Sequence, residues 1–307
     1  MPATDHRLTT IEMARFVSQG YLRFDAVVPP ELNAAALAVM PSVHERKSAA
    51  AVAGFTGHGP VGDRGDQAVS AARISECYPA PSPFGEFLRL PPIAGVIESL
   101  VGPDPSFDHD FVHHIAPGRS VGQHLHPDAI VDSTDPTFDI QLFWFPHEVE
   151  PGGGGTRFVP GTHIRRTTSA ATAKYQHVAG EEEFAGPAGT VLVFHHGLWH
   201  CGQPNPGTVE RWMYKVRLNP CVPQVRLWNL DDFDEVHNDH TDHTFATPRA
   251  DSVAAQLRRM FPWEGTDSSR YDLVERIRLW RYVTGDESFD ADYYLSRIER
   301  RAALLDA

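Results

Sequence analysis

The sequence predicts a core of β-strands, arranged as a sandwich or barrel, with helices before and after it. From Phe107 onward, short runs of β-branched and aromatic residues are separated by Gly, Pro and Asp, a pattern typical of many short strands joined by turns. On both sides of this region, apolar residues recur at helical spacing instead. Because neither a low-complexity linker nor an internal repeat divides the chain, we expect a single domain over residues 1–307.

The first part of the chain predicts three helices and one long loop. Thr9 and Glu12 have capping-box spacing and begin the first helix, and a Pro-Pro-Glu sequence at 29–31 begins the second. Residues 91–100 predict the third. Between about 50 and 82 the chain is rich in Ala, Gly and Pro without periodicity, which predicts a loop that shapes a pocket.

The strands are predicted within a core of residues 106–222, which separates the N-terminal helices of 8–105 from a C-terminal helical extension of 223–307. They are predicted at residues 111–112, 138–145, 156–159, 190–194 and 211–218. In the extension, the apolar residues at helical spacing are Leu273, Ile277 and Trp280. The strands therefore form the centre of the molecule.

The composition and charge of the chain limit which kinds of partner it can bind. A chain of 307 residues with 41% hydrophobic content can bury a full core, and it has neither a signal peptide pattern nor an apolar run of membrane-spanning length. We therefore expect a soluble, cytoplasmic protein whose three widely spaced cysteines are free thiols. The formal net charge of -13 disfavours nucleic acid and anionic membranes as partners. We therefore expect a small-molecule substrate. The sequence does not predict the oligomeric state.

Histidine clustering directs attention to a metal. Many of the 17 histidines lie in two clusters, at 109–126 and 195–200. His126 and Asp128 lie two residues apart, so on an extended segment they project to the same side. A distant histidine completes the set, and the second cluster supplies candidates after a predicted strand. Two imidazoles and one carboxylate on one face of an octahedron leave three positions open, as in non-haem Fe(II) oxygenases that bind a 2-oxo acid and O2.

Arg211 adds the second half of the expected site. It lies eleven residues after His200, at the head of a predicted strand, where a guanidinium could hold the distal carboxylate of 2-oxoglutarate.

With these residues in view, the chain resembles the phytanoyl-CoA dioxygenase family. The motif elements are, in order, His126-Pro127-Asp128, the glycine-rich turn Gly152–Gly155, Val159-Pro-Gly-Thr-His163, Trp199-His200, Pro204-Asn205 and Arg211. The resemblance implies a mainly β chain with flanking helices and a double-stranded β-helix core, a cupin-like jelly roll. It also implies the cofactors Fe(II), 2-oxoglutarate and O2, with His126, Asp128 and His200 as the catalytic metal ligands and Arg211 as the cosubstrate-binding residue. One departure is Ala116, where family members often carry a lysine.

Several other interpretations stay open. His124 could replace His126 as a ligand in an HxH site, whereas His195 and His196 are expected to pack or to support the ligands. Either Phe143 or Trp144 could line the pocket. The glycine run Gly152–Gly155 lacks the context of a phosphate-binding loop and predicts a tight connection between strands.

The reaction that these expectations favour is hydroxylation of a C–H bond in a small metabolite, with release of succinate and CO2. Desaturation, epimerisation and ring formation use the same cofactors, and a non-enzymatic or zinc-binding jelly-roll protein is the alternative of a different class. Asp128 disfavours halogenation, because halogenases of this type lack the carboxylate ligand. The negative charge of the chain mildly favours a cationic or neutral substrate over a coenzyme A thioester.

Overall fold

The computed structural model describes residues 5–52, 71–78, 81–129, 135–175, 177–237, 249–265 and 268–297. Most of the predicted loop at 50–82 lies outside these residues. Cys201 and Cys221 are free thiols, as predicted. No described helix is both long and apolar enough to cross a lipid bilayer.

Five described helices precede the core; the first, second and fifth begin where the sequence predicts, whereas the third and fourth were not predicted and the third lies within the predicted loop. The five are α1 (Thr10–Gln19), α2 (Pro30–Val52), α3 (Ile74–Cys77), α4 (Pro83–Arg89) and α5 (Pro91–Val101). The capping box at the start of α1 is present, with the Thr9 and Glu12 side chains each accepting a backbone N–H of the other. Gly20 ends α1 at a φ of 77°, and a Cβ there would lie 2.4 Å from Nδ1 of His163. Glycine is therefore required for both the left-handed turn and the close packing.

Eight strands form two antiparallel sheets. The strands are β1 (Tyr21–Phe24), β2 (Ser106–Ile115), β3 (Ile140–Phe145), β4 (Thr156–Phe158), β5 (Glu182–Glu183), β6 (Thr190–His195), β7 (His200–Gly202) and β8 (Arg211–Asn219). The larger sheet has the order β1-β6-β3-β8-β2, and the smaller sheet has the order β5-β4-β7. The short helix α6 (Ser169–Thr172) lies between β4 and β5.

The larger sheet is buried on both faces, which explains why its central strands do not alternate between apolar and exposed positions. On its outer face, Trp144 stacks on Phe87 of α4 with ring centroids 4.6 Å apart. On its inner face, Phe143 and Phe194 join a buried cluster with Phe158 of the smaller sheet. The two sheets thus face each other and helices cover the outside, which confirms the predicted jelly-roll, cupin-like class; the sheets do not close into a barrel among the described strands.

The C-terminal extension packs against the N-terminal helix. It contains α7 (Phe233–His237), α8 (Val253–Leu257) and α9 (Ser269–Thr284), and α1 contacts each of them. Ile277 and Trp280 are fully buried, as their spacing predicts. Arg276 of the same helix is buried too, and it forms an ion pair with Glu264. The core cluster runs from Leu8 to Ala291. The assignment of residues 1–307 to one domain stays a prediction.

A cluster of buried histidines lies between α1 and the end of β6. The His163 and His195 rings are 4.9 Å apart, and the His195 and His196 rings are 4.5 Å apart. Nε2 of His163 lies 3.0 Å from the carbonyl oxygen of Val17, so its N–H donates there. Burial lowers the pKa of His163 to about 3 and that of His195 well below its ordinary value. Both rings are therefore neutral in the folded protein at neutral pH.

Neutral buried histidines predict a loss of stability in acid. Below the ordinary pKa of 6.5, the unfolded chain binds a proton at His163 and the folded chain does not until the pH nears 3. The free energy of unfolding should therefore fall by about 1.4 kcal/mol per pH unit for this residue within that window. His163→Gln keeps an N–H donor for Val17 and should remove this slope. Urea unfolding of metal-free protein between pH 7 and pH 4 measures it, and the same change at exposed His6 is the control. An unchanged slope in His163→Gln would contradict the assignment.

Candidate metal centre

A pair of backbone hydrogen bonds brings His126 and His200 together. His126 N lies 3.0 Å from His200 O, and His200 N lies 2.9 Å from His126 O, so the loop that carries His126 pairs with β7. Asp128 Oδ1 lies 3.4 Å from His126 Nε2, and Asp128 Oδ2 lies 3.6 Å from His200 Nε2. One ligand atom from each of the three side chains lies within 4.8 Å of the other two. The three predicted ligands therefore converge on one point.

The tautomers of both histidines suit a metal. His126 Nδ1 lies 2.7 Å from the carbonyl oxygen of His124, and His200 Nδ1 lies 2.9 Å from that of Leu198. A carbonyl oxygen only accepts, so each Nδ1 carries a proton, and each Nε2 has a lone pair for a metal when its ring is neutral. Such backbone hydrogen bonds commonly orient metal-binding imidazoles. Two Nε2 lone pairs and a carboxylate fit a divalent iron ion.

The Val159–His163 motif holds β7 in position. Thr162 Oγ1 accepts from Trp199 N at 3.1 Å, and Val159 N donates to Trp199 O at 3.0 Å. The residue immediately after Trp199 is His200. On its other side the His200 ring contacts Phe143, with ring centroids 5.5 Å apart. The His200 imidazole is thus fixed by the backbone before it and by the inner face of the larger sheet.

The protonation states of His126, Asp128 and His200 are set by burial and by their contacts with one another and with Lys215. Burial on its own raises the pKa of Asp128, but His200, Lys215 and a hydrogen bond from His126 together hold that pKa well below its usual range. Burial lowers the pKa of His200 to about 4, which keeps that ring neutral at pH 7. The Asp128 contact raises the pKa of His126, with burial opposing it. At neutral pH the site therefore offers one anionic and at least one neutral ligand.

Lys215 is a member of this site that the sequence analysis did not identify. It lies on β8, is 7% exposed, and its ammonium forms an ion pair with Asp128 Oδ2. Its Nζ also lies 5.2 Å from the centroid of the Phe143 ring. A signal was present in the sequence, because alternation along a strand places residues 211, 213 and 215 on one face.

Arg211 is a buried cation without a carboxylate partner among the described residues. It is 3% exposed, and its Nε donates to Gly154 O at 2.8 Å. Its Nη1 is buried and has no hydrogen-bond partner in the described part of the chain. Burial lowers its pKa to about 10, and nearby Arg119 contributes to that shift. A buried, incompletely bonded guanidinium is suited to an anionic ligand.

A pocket opens beside Arg211, and its lining residues do not include His126, Asp128 or His200. Residues that line it include Ile115, Arg119, Gln123, Gly202 and Arg211. Gly202 N donates to Gln123 Oε1 at 2.9 Å, which joins the loop before His126 to the strand after His200. The pocket therefore borders the two segments that carry His126 and His200.

The glycine-rich turn is a tight connection, as predicted, and it also supports Arg211. Gly154 has a φ of 78° and accepts the Arg211 hydrogen bond. A Cβ on Gly155 would lie 1.9 Å from the carbonyl oxygen of Phe184. Both glycines are needed for the backbone to pass this close to its neighbours.

The remaining candidates lie outside the cluster. The His124 side chain is exposed and only its carbonyl oxygen takes part. His195 and His196 pack in the buried histidine cluster. Phe143 points inward to the site, whereas Trp144 points outward and donates to Asn33 Oδ1 at 2.9 Å.

Comparison with known proteins identifies the family to which the chain belongs. The sequence model described as Phytanoyl-CoA dioxygenase (PhyH) matches residues 16–213, more than half of the chain. Dioxygenase andF of Emericella variicolor is 25% identical over 171 residues, which are 52% of this chain and 56% of that protein. The chain thus spans little more than half the length of that curated relative.

This chain is also similar to several solved structures, among them SnoK and EctD. The alpha-ketoglutarate-dependent carbocyclase SnoK from nogalamycin biosynthesis has a TM-score of 0.49 and 18% identity, covering 72% of this chain and 87% of SnoK. EctD from S. alaskensis, solved with 2-oxoglutarate and 5-hydroxyectoine, has a TM-score of 0.48 and 18% identity, covering 72% of this chain and 78% of EctD. These identities are too low to transfer a substrate or a residue role.

Proposed function

The chain belongs to the phytanoyl-CoA dioxygenase family, and we propose that it is an Fe(II)- and 2-oxoglutarate-dependent oxygenase that hydroxylates a small metabolite. The observation that carries the proposal is the pair of Nε2 lone pairs, fixed by backbone hydrogen bonds, that faces Asp128. A zinc-binding jelly-roll protein would not need the buried cation in the adjacent pocket. That cation favours the oxygenase over a purely structural metal site.

In this proposal each residue has a defined task. His126, Asp128 and His200 would hold the metal. Iron with 2-oxoglutarate and O2 supplies the oxidising chemistry, in which the 2-oxo acid is converted to succinate and CO2 and a C–H bond is hydroxylated. Phe143 packs against the His200 ring and excludes water from that side.

Arg211 and Arg119 hold the cosubstrate in the proposed site. The distal carboxylate of 2-oxoglutarate would pair with the Arg211 guanidinium, whose Nη1 has no other partner among the described residues. Arg119 lines the same pocket three residues after Ala116, and no ion pair with a described carboxylate occupies it. Arg119 therefore provides the second positive charge that a lysine at position 116 would otherwise supply.

That the reaction is a hydroxylation is a more specific step of the proposal. Desaturation, epimerisation and ring formation need the same ligands and cosubstrate, and they differ in how the substrate is held beside the metal. A small-molecule substrate and a cytoplasmic location also stay predictions.

The proposal is tested by anaerobic addition of Fe(II) and 2-oxoglutarate to the metal-free protein. We expect a weak visible charge-transfer band at about 500 nm, the signature of a chelated 2-oxo acid on facial-triad iron. Admission of O2 should then release succinate, and product analysis by mass spectrometry reports a gain of one oxygen atom for hydroxylation or a loss of two hydrogens for desaturation. A protein that binds zinc but gives neither band nor succinate would exclude the oxygenase.

Arg211→Leu should raise the KM for 2-oxoglutarate with little change in Fe(II) affinity. The change removes a charge-assisted contact of about 2 kcal/mol or more, which corresponds to roughly thirtyfold in KM. Succinate formation at varied 2-oxoglutarate gives the KM, and metal titration gives the Fe(II) affinity. Arg15→Leu on the exposed side of α1 is the matched control. If Arg211→Leu lost iron and cosubstrate to the same degree, Arg211 would support the fold instead.

A further inference from the structure

Lys215 has more hydrogen-bonding capacity than the protein uses. Its ammonium carries three N–H donors, and among the described residues Asp128 is its hydrogen-bond partner. The other cation on the inner face of β8, Arg217, is neutralised differently, because it pairs with Asp139 at 2.5 Å and with Asp108 at 3.4 Å. Lys215 thus depends on a carboxylate that the proposed metal also requires.

Gln141 presents an amide to the same interior. It lies on β3, is fully buried, and neither its Oε1 nor its Nε2 has a hydrogen-bond partner in the described part of the chain. Such a buried and unbonded amide costs free energy unless a ligand completes it. In the sheet, Gln141 pairs with Arg217 and Phe143 pairs with Lys215, so Gln141 and Lys215 are diagonal neighbours on the inner face.

The two side chains lie beside the three predicted metal ligands. Gln141 also pairs across the sheet with Phe194, whose ring centroid is 5.8 Å from that of His200. Arg211 and Lys215 are four residues apart on β8, about 13 Å along the strand. A cosubstrate held by Arg211 would approach from one end of the strand, whereas Lys215 contacts the predicted ligand Asp128 and Gln141 lies diagonally beside it, farther along the strand.

Charge balance points to the kind of group that fits there. When Asp128 binds a divalent ion, its one negative charge is shared between the metal and the Lys215 ammonium. In the proposed function, the two carboxylates of 2-oxoglutarate offset one charge at the metal and the charge of Arg211. Arg119, the other cation beside the cosubstrate, is exposed to solvent, so one buried positive charge remains. A buried charge of this kind is costly unless it is paired.

We propose that Lys215 and Gln141 form the substrate-anchoring site of this enzyme and that the substrate carries a carboxylate, which Lys215 pairs with and to which Gln141 donates through its amide. This inference rests on the proposed function. It also revises the expectation, drawn from the net charge of the whole chain, of a cationic or neutral substrate. Arg211 and Lys215, the two buried cations near the predicted ligands, are positive although the chain as a whole is negative, and the site rather than the whole chain contacts the substrate.

The test measures binding to the anaerobic Fe(II) protein saturated with 2-oxoglutarate. The probes are small aliphatic and aromatic carboxylic acids, each paired with its primary amide, and calorimetric titration gives the Kd. In the wild type we expect each acid that binds to do so about tenfold more tightly than its amide, because a charge-assisted hydrogen bond is roughly twice as strong as a neutral one. Lys215→Met should abolish that preference, and Lys215→Arg should retain part of it.

Two further variants separate anchoring from a structural role. Gln141→Leu leaves every charge in place and should weaken acid binding by about threefold or more, since one hydrogen bond to a charged group is lost. Lys174→Met, at an exposed lysine, is the matched control and should behave as the wild type. The visible band of the 2-oxoglutarate complex is recorded for every variant. If Lys215→Met does not retain iron, the titrations of Gln141→Leu and Lys215→Arg decide whether these residues anchor the substrate.

The inference is overturned if acids and amides bind the wild type equally, if no acid binds, or if the preference survives in Lys215→Met. Acid affinities unchanged in Gln141→Leu would remove Gln141 from the site. Failure of the proposed function looks different, because the wild type would then show no 2-oxoglutarate-dependent band at all.

Discussion

His126→Ala is expected to abolish the visible band of the Fe(II) and 2-oxoglutarate complex and to stop succinate formation. The substitution removes one of the two Nε2 lone pairs that face Asp128. Because changes in residues that merely support metal ligands weaken metal binding by about ten- to a hundredfold, loss of a ligand should cost at least about a hundredfold. Spectroscopy under anaerobic conditions, with iron and 2-oxoglutarate at saturating concentrations for the wild type, measures the effect.

His124→Ala is the matched control for that experiment. His124 lies two residues away, its side chain is exposed, and its carbonyl oxygen, which orients His126, is retained in the variant. The HxH alternative predicts the opposite pattern, with the band lost in His124→Ala and kept in His126→Ala. The pair of variants therefore assigns the ligand whichever result is obtained.

The sequence predicted three of the five described N-terminal helices from local pattern, and it missed α3 and α4. The capping box at Thr9 and Glu12 acts within one helical turn, and α1 begins there. The strand β1 was missed because it is stabilised by pairing with β6, about 170 residues later in the chain, as Tyr21 faces Phe194. Strand propensity in four residues is weak without knowledge of the partner strand. The three-residue strand β7 was missed for the same reason.

The sequence predicted those residues of the candidate site that belong to recognisable motifs. His126 and Asp128 lie two residues apart in sequence, and Arg211 follows His200 by eleven residues. Lys215 and Gln141 have no such signature. Their position depends on the register of β3 and β8 and on which face of the larger sheet points inward. A sheet buried on both faces gives no polar alternation from which to read that choice.

The ion pair between Lys215 and Asp128 bears on how the proposed centre is assembled. In the metal-free protein the ammonium is the cation next to the carboxylate, and it keeps a buried charge paired. A metal must share Asp128 with Lys215 or displace it. The carboxylate therefore has two tasks, metal binding and neutralisation of a buried lysine, and a substitution at this position affects both.

Asp128→Gly is accordingly expected to eliminate turnover and to destabilise the fold at the same time. Loss of the carboxylate removes a hard oxygen ligand from a site with two imidazoles, so Fe(II) retention should fall steeply. It also leaves the Lys215 ammonium, 7% exposed, without its ion-pair partner. Breaking a buried ion pair from one side costs about 3 to 5 kcal/mol. Urea unfolding of the metal-free protein measures that loss, and succinate formation under saturating iron measures turnover.

The double variant Asp128→Gly/Lys215→Met separates the two effects. Removing both charges should recover most of the stability lost in Asp128→Gly, since no unpaired charge is left in the interior. It should recover none of the turnover, because the metal still lacks its carboxylate ligand. Added chloride should yield little halogenated product, as the space vacated by a carboxylate is not by itself shaped for a halide. Hydroxylation near the wild-type rate in Asp128→Gly, with iron bound through two histidines alone, would show that Asp128 is not a ligand.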